Sequence, residues 1–259
     1  MRIPQEISEI IIAHLTDNLP ALRSCSLTCY SWYIAAVPHL YTTLTVDTHP
    51  GRPERQWPNP IIYMHIFDLL PFVKTLRINS FYGKFSPKLF NTFTLRQFSA
   101  LANVQTLNID DLDIPSFIPN FQQYFGPFMP TVRSLRLEQP EGSNRQIIFF
   151  IGLFEHLDDL SLIHRRPGKR DKEDLTLIPL FTPPLRGRLR IRCWRDDGLF
   201  QEMVSLFKGI KFRVMEFVDV GETQFLLYAC VKTLQVFKWC PDDRVGKQPW
   251  LKHLEFQAK

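Results

Sequence analysis

The fold is decided by a short pattern that first reads Val73-Lys-Thr-Leu76-Arg-Ile78 and returns as Val104-Gln-Thr-Leu107-Asn-Ile109. In each copy an apolar residue is followed by two variable residues, a second apolar residue, one variable residue and a third apolar residue. The last two apolar residues flank a polar one, which is the spacing of a β-strand with one buried face. Six further copies lie at residues 132–137, 157–162, 185–191 (with one extra residue), 212–217, 231–236 and 251–256.

Apolar stretches of helical length separate several of these copies, so the chain alternates between strand and helix. These stretches are residues 61–70, 88–101, 145–157, 199–208 and 223–230. A strand, a helix and a second strand of one sheet require parallel strands joined by a crossover. We therefore predict an α/β fold in which parallel strands follow one another along a curved solenoid. A mixed sheet with helices on one face is the alternative.

The central apolar residues of the copies are 31, 28, 25, 29, 26, 19 and 20 positions apart, in or near the range of leucine-rich repeats. Residues 61–259 therefore loosely resemble an irregular leucine-rich-repeat region. The asparagine that usually follows the strand in that family is missing, since Phe81, Leu112 and Pro140 stand near its place. The resemblance implies a broad binding face lined by strands rather than a closed pocket.

The beginning of the chain has a different pattern, that of three short amphipathic helices. Apolar residues at helical spacing run from Ile3 to Leu15, and Pro4 stands where a helix begins. A second helix is predicted over about residues 20–29, and a third segment contains Trp32 and ends at Tyr41. Three short helices bury little surface by themselves. This unit therefore either docks on a partner or caps the repeat region that follows.

The helices contain an ordered set of residues: Ile3-Pro4-Gln-Glu6-Ile7, Ile10-Ile11, Leu15, Leu22, Cys25-Ser26-Leu27, Ser31-Trp32 and His39-Leu40-Tyr41. This set is similar to an F-box, in the variety found in fungal F-box-like proteins. Ile3 replaces the usual leucine of that family, and Thr28 and Tyr30 replace the commoner valine and basic residue. An F-box docks on the Skp-type adaptor of cullin–RING ubiquitin ligases.

The resemblance implies that the chain is the substrate-recognition subunit of an SCF-type ubiquitin ligase, with a target protein bound by the repeat region. Its docking residues would be apolar side chains that are exposed until the adaptor covers them. The alternative is a protein-interaction scaffold without a ligase role, whose helices are a cap and whose basic face binds nucleic acid. By motif position, the adaptor-binding or supporting residues are Ile3, Pro4, Ile7, Ile10, Ile11, Leu15, Leu22, Leu27 and Trp32.

The variable residues of the strand pattern are expected to point away from the core and to contact the target. Alternation puts Arg188, Arg190 and Arg192 on one side of a strand. Because guanidinium groups bind carboxylates and phosphates through paired hydrogen bonds, an acidic or phosphorylated segment is the predicted ligand. The alternative is a solvated face balanced by acidic residues. The candidate target-binding residues are Arg77, Arg136, Arg188, Arg190 and Arg192.

The chain divides into an F-box-like helical domain at residues 1–45, a linker rich in proline and charge at 46–60, and the repeat region at 61–259. The basic run at 165–170 contains a Pro-Gly turn and is followed at once by acidic residues, so we interpret it as an exposed loop. The pattern closes at Phe256 with three residues after it, which leaves open a truncated C-terminus.

The composition favours a globular protein, and we expect a non-enzymatic protein of the cytoplasm, the nucleus or both. The net charge of +5 is too small an excess to indicate nucleic-acid binding, and no apolar run is long enough for a membrane span. The five cysteines lack metal or redox spacing, so buried free thiols are expected. Phosphate-binding glycine loops and hydrolase motifs are missing and the histidines are scattered, so we expect no catalytic residue, cofactor or metal ion.

Overall fold

The computed structural model describes residues 3–47, 64, 68–79, 100–115, 126–163, 184–194, 198–207, 209–220, 224–240 and 254–257. Within these ranges the chain forms three helices, then a sheet whose later strands alternate with three more helices. The predicted α/β class is therefore confirmed. The helices are Gln5–Ala13 (α1), Leu19–Ser26 (α2), Tyr30–Leu40 (α3), Asn144–Gly152 (α4), Leu199–Leu206 (α5) and Gln224–Cys230 (α6).

The first two N-terminal helices begin where the sequence supplies a suitable first residue. Pro4 precedes α1, and the Asn18 side chain caps α2 by accepting a hydrogen bond from the backbone N–H of Ala21 at 3.1 Å. α1 and α2 both pack against α3, which confirms the predicted group of helices. Their shared core is small and consists of Ile12, Leu22, Ala35 and Ala36.

The sheet contains nine strands in chain order: Thr43–Asp47 (β1), Thr75–Asn79 (β2), Thr106–Asp110 (β3), Ser134–Glu138 (β4), Asp159–Ile163 (β5), Leu185–Trp194 (β6), Ile210–Val220 (β7), Val236–Cys240 (β8) and Leu254–Gln257 (β9). Each strand pairs with the one before it, and pairing is parallel from β1 to β8. The predicted parallel strands are confirmed for this part of the sheet.

The last copy of the pattern differs from the prediction, because β9 runs antiparallel to β8. Phe256 of β9 lies opposite Phe237 of β8. An alternating apolar pattern does not encode strand direction, since a strand presents the same residues to the core whichever way it runs. The prediction of parallel strands was therefore wrong for residues 251–256.

β8 lies three residues further along the chain than the pattern predicted. The predicted inward residues were Leu234 and Val236, but the register places Phe237 and Trp239 opposite Met215 and Phe217 of β7. Residues 231–233 form a turn after α6. The pattern also fits residues 234–239, and only the end of the preceding helix decides between the two overlapping frames.

β1 is a copy of the pattern that the sequence analysis missed. It reads Tyr41-Thr-Thr-Leu44-Thr-Val46 and pairs in register with β2, with Leu44 opposite Leu76. The strand directly follows α3 and crosses the predicted domain boundary at residue 45. The helices and the sheet are thus joined by two residues, Tyr41 and Thr42, and the predicted linker at 46–60 lies outside the described residues after Asp47.

The same backbone contacts recur from one copy to the next. The carbonyl of Thr42 accepts hydrogen bonds from the N–H groups of Lys74 and Thr75, and the carbonyl of Lys74 accepts those of Gln105 and Thr106. These contacts recur through β5 and hold β2 to β5 at one fixed register. Two inward rows result: Leu44, Leu76, Leu107, Leu135, Leu160, Leu189, Met215 and Phe237, and Val46, Ile78, Ile109, Leu137, Leu162, Ile191, Phe217 and Trp239.

Helices cover the inward face of the later strands, as predicted for 145–157, 199–208 and 223–230. α4 begins with a capping box in which Ser143 and Gln146 exchange side-chain and backbone hydrogen bonds. Its buried side chains include Ile147 and Phe150, which belong to the same core as the inward rows. The predicted helices at 61–70 and 88–101 lie mostly outside the described residues, as does the charged run at 165–174.

The extra residue in the copy at 185–191 forms an irregularity in the sheet. The register between β6 and β7 shifts at Gly187 and Arg188. Gly187 has a φ of 83°, which side chains rarely tolerate, and a Cβ there would overlap the carbonyl oxygen of Asp158. The glycine thus lets β6 approach β5 closely while absorbing the additional residue.

The cysteines only partly follow the prediction of buried thiols. Cys230 is buried, Cys25 and Cys240 are half-buried, and Cys29 is exposed because it directly precedes α3 at the surface. Burial raises the pKa of the Cys230 thiol, and a hydrogen bond with the Phe212 backbone opposes that effect in part. Among the described helices, none has the length and apolar character needed to cross a membrane.

Candidate functional site

Most of the exposed large apolar side chains in the described part of the chain lie on the three N-terminal helices and their connections. Twelve large hydrophobic residues are exposed in the described part of the chain, and nine of them belong to these helices and their connections. Leu27 is 86% exposed and Tyr30 is 77% exposed. We call this set the N-terminal apolar surface: Ile3, Ile7, Ile10, Ile11, Leu19, Leu27, Tyr30, Tyr33 and Ile34.

Helix α1 is apolar on two sides, and only one of them faces the helical core. Ser8 and Ile12 are fully buried and Leu15 is half-buried, so the inward face follows these three residues. The Ser8 hydroxyl donates a 3.5 Å hydrogen bond to the carbonyl of Pro4, which lowers the cost of burying it. The isoleucines at 7, 10 and 11 therefore point away from the core of the three helices.

The predicted adaptor-binding residues divide into an exposed group and a supporting group. Ile3, Ile7, Ile10, Ile11 and Leu27 are exposed, and so is Pro4. Leu22 is fully buried, while Leu15 and Trp32 are half-buried against the same small core. The second group holds the helices together.

Four exposed apolar residues of this surface were absent from the sequence prediction: Leu19, Tyr30, Tyr33 and Ile34. Tyr33 and Ile34 lie on α3 next to the buried pair Ala35 and Ala36. The signal was present in the sequence, because small alanines at helical positions mark the side where helices approach closely. The bulky residues beside them must then lie toward the outside.

The outward face of the sheet is polar over β2 to β4. We call this area the polar face, and its residues form three rows across the strands. The first row contains Thr75, Thr106 and Ser134; the second contains Arg77, Asn108 and Arg136; and the third contains Asn79, Asp110 and Glu138.

The second row continues over the following strands with Ser161, Arg190, Glu216 and Lys238. The structure therefore places Arg77, Arg136 and Arg190 in one row, whereas Arg188 and Arg192 lie in the rows on either side of it. Ser161 is buried although its row faces outward, because this short side chain stands between two arginines. The predicted common face of the five arginines is thus spread over three rows.

Ion pairs occupy two of the five predicted target-binding arginines. Arg136 donates a 2.8 Å hydrogen bond to the carboxylate of Glu138, and Arg190 lies 3.1 Å from Glu216 and 3.9 Å from Asp159. Among the described residues, no carboxylate pairs with Arg77, Arg188 or Arg192. The expected balancing by acidic neighbours therefore applies to Arg136 and Arg190.

An open pocket of about 230 Å³ lies in the polar face. Its walls combine both charges with amide groups. It is lined by Arg77, Asn79, Asn108, Ile109, Asp110, Arg136 and Glu138. Within the part of the chain that the structure describes, no group of three or more His, Cys, Asp or Glu side chains is placed to hold a metal ion.

A scan against models of known protein families found no family that matches this sequence. Searches of curated proteins and of solved structures likewise found nothing similar.

Proposed function

We propose that this protein is an F-box-type substrate-recognition subunit of a cullin–RING ubiquitin ligase. Its N-terminal helices would dock on a Skp-type adaptor, and its sheet, an irregular leucine-rich-repeat-like solenoid, would bind a target protein. The observation that supports this role is the N-terminal apolar surface, which holds nine of the twelve exposed large hydrophobic residues of the described chain. A role of this kind requires no catalytic residue, cofactor or metal ion.

In this role the adaptor would cover the N-terminal apolar surface. A soluble monomer rarely exposes many large apolar side chains close together, and such patches usually mark contact sites. Apolar and aromatic side chains at the centre of an interface supply most of its binding free energy. The helices have only a four-residue core of their own, so docking would stabilise them as well as join the two proteins.

The arrangement of the sheet supports the second half of the proposal. Eight parallel strands in chain order, of which β2 to β5 start from the same pair of backbone contacts, are the pattern of stacked repeats. Such an array presents one long outward face. This face carries charged and amide side chains over β2 to β4, which suits recognition of a polar protein segment.

The test is binding of the intact protein to a purified Skp-type adaptor, measured by calorimetry. The variant Ile7→Ser/Ile10→Ser removes two exposed apolar residues without touching the core, and we expect it to weaken binding by at least about tenfold. The matched control is Val231→Ser, which removes an apolar side chain that is 70% exposed outside the N-terminal helices. We expect this control to bind as the unmodified protein does.

A failure of the intact protein to bind the adaptor, with all variants correctly folded, would contradict the ligase role. Equal binding by Ile7→Ser/Ile10→Ser and Val231→Ser would contradict the assignment of the surface. In the first case the helices would be a cap, and a scaffold role without the ligase would be the better interpretation.

A further inference from the structure

We propose that the pocket between β2 and β4 binds a polypeptide segment in which an acidic and a basic side chain lie close together. This inference rests on the proposed role of the sheet in target binding and specifies the chemistry of the target. It replaces the simpler expectation, based on the arginines alone, that the segment would be acidic or phosphorylated.

The first observation is the separation of charge within the pocket. Its positive groups stand in the second row, with Asn108 between Arg77 and Arg136. Its negative groups, Asp110 and Glu138, stand in the third row, two residues further along their strands. Two residues of a β-strand span about 7 Å, so the two rows have the same spacing along the strands as two side chains on one face of an extended bound segment.

The second observation concerns how these groups are already used. Arg136 is paired with Glu138 at 2.8 Å, whereas Arg77 is exposed and has no carboxylate partner among the described residues. An acidic side chain of the segment would therefore be drawn to Arg77, with the Asn108 amide as a further donor. Glu138 accepts one hydrogen bond from Arg136, and a carboxylate has about four acceptor positions, so it can also accept from a lysine or arginine of the segment.

The third observation is the balance of charge. The pocket contains two arginines and two carboxylates, so their formal charges cancel. A purely acidic segment would be attracted by Arg77 but repelled by Asp110 and Glu138. A purely basic segment would be attracted by Asp110 and Glu138 but repelled by Arg77. A segment with both charges satisfies each row, and complementary charge of this kind mainly confers specificity.

The experiment uses the full chain and three synthetic peptides in a glycine–serine background. One contains alternating glutamate and lysine, one contains glutamate alone and one contains lysine alone. Binding is measured by fluorescence anisotropy of the labelled peptides. We expect the mixed peptide to bind the unmodified protein most tightly.

A ligand with both charges and a purely acidic ligand are expected to respond differently to substitutions in the pocket. Arg77→Glu is expected to weaken binding of the mixed peptide by about tenfold. Glu138→Gln frees Arg136 and removes a negative charge, so a purely acidic ligand would bind it more tightly. The proposal instead expects the mixed peptide to bind Glu138→Gln more weakly, by about threefold. The matched control, Arg213→Glu, makes the same charge change as Arg77→Glu at an exposed site on β7, outside the pocket, and is expected to have little effect.

Tightest binding of the glutamate peptide, a gain of affinity in Glu138→Gln for the mixed peptide, or binding of none of the three peptides would overturn the proposal. The same variants are tested for adaptor binding, which the pocket variants should retain. Failure of the pocket and failure of the ligase role are then distinguishable, because Ile7→Ser/Ile10→Ser should lose the adaptor and keep the mixed peptide.

Discussion

Single residues fix the places where the repeated pattern becomes irregular, and Gly187 is the clearest case. The sequence showed that the copy at 185–191 has one residue too many, and the structure places the resulting register shift at Gly187 and Arg188. The Arg188 N–H donates a 2.8 Å hydrogen bond to the carbonyl of Asp158, so the two strands are already in close contact there. Periodicity alone could not locate this point, because it depends on the positive φ of one residue.

We expect Gly187→Ala to lower the free energy of unfolding by about 2 kcal/mol or more, because a methyl group would combine an unfavourable φ with overlap on the Asp158 carbonyl. The matched control is Gly209→Ala, since a Cβ at Gly209 meets nothing within 4 Å. Its effect should stay below about 1 kcal/mol. Urea denaturation of both variants measures the difference, and equal midpoints would refute the role of Gly187.

At the scale of the element, the N-terminal helices show what a pattern of apolar residues can and cannot predict. The positions of α1, α2 and α3 follow from helical spacing, and Asn18 supplies a side-chain cap for α2. The choice of the buried face does not, because α1 has isoleucines on one side and Ser8 with Ile12 on the other. In the sheet the same limit appears at β8, where two overlapping frames fit, and at β9, where the direction is not encoded. These choices are made by packing against neighbouring elements.

Two leucines of the helical unit separate folding from docking. Leu22→Ala removes a fully buried side chain, so we expect a loss of about 2–5 kcal/mol in the stability of the helical unit. Leu27 is 86% exposed, and Leu27→Ala should change stability by less than about 0.5 kcal/mol while weakening adaptor binding. Thermal unfolding followed by helical circular dichroism, together with the adaptor calorimetry, checks both. A large loss of stability in Leu27→Ala would mean that the Leu27 side chain belongs to the core.

For the whole molecule, the sequence predicted an α/β chain with successive parallel strands but separated the helices from the sheet by a linker. The structure joins them, since α3 ends at Leu40 and β1 begins at Thr43. Val37 of α3 lies in the same core as the inward rows. The pattern in β1 was not predicted because its first residue, Tyr41, is also the last residue of the set that resembles an F-box. For the polar face, the sequence predicted which residues point outward. Which of these residues lie side by side depends on the register between strands that are distant in the chain.

A truncated chain that begins at residue 41 should therefore be more stable than one that begins at residue 48. The shorter chain loses β1, including the buried Leu44 and Val46, and leaves the edge of β2 exposed. We expect a difference of about 3 kcal/mol in the free energy of unfolding, from the burial of those two side chains. Guanidinium denaturation of both chains measures it. Equal stability of the two truncated chains would show that β1 does not contribute to the stability of the sheet.

Because the strands follow one another in chain order, the number of a strand indicates its distance from β1. Neighbouring strands lie about 4.8 Å apart, so the pocket over β2 to β4 lies about 5–15 Å along the sheet from β1, whereas β8 lies about 34 Å from it. Since β1 directly follows α3, strand number measures distance from the helical end. A segment held in the pocket would stand nearer to whatever the helices bind than a segment held near Lys238, at the far end of the parallel strands. The choice of strand would thus set how far a bound protein stands from the docking partner.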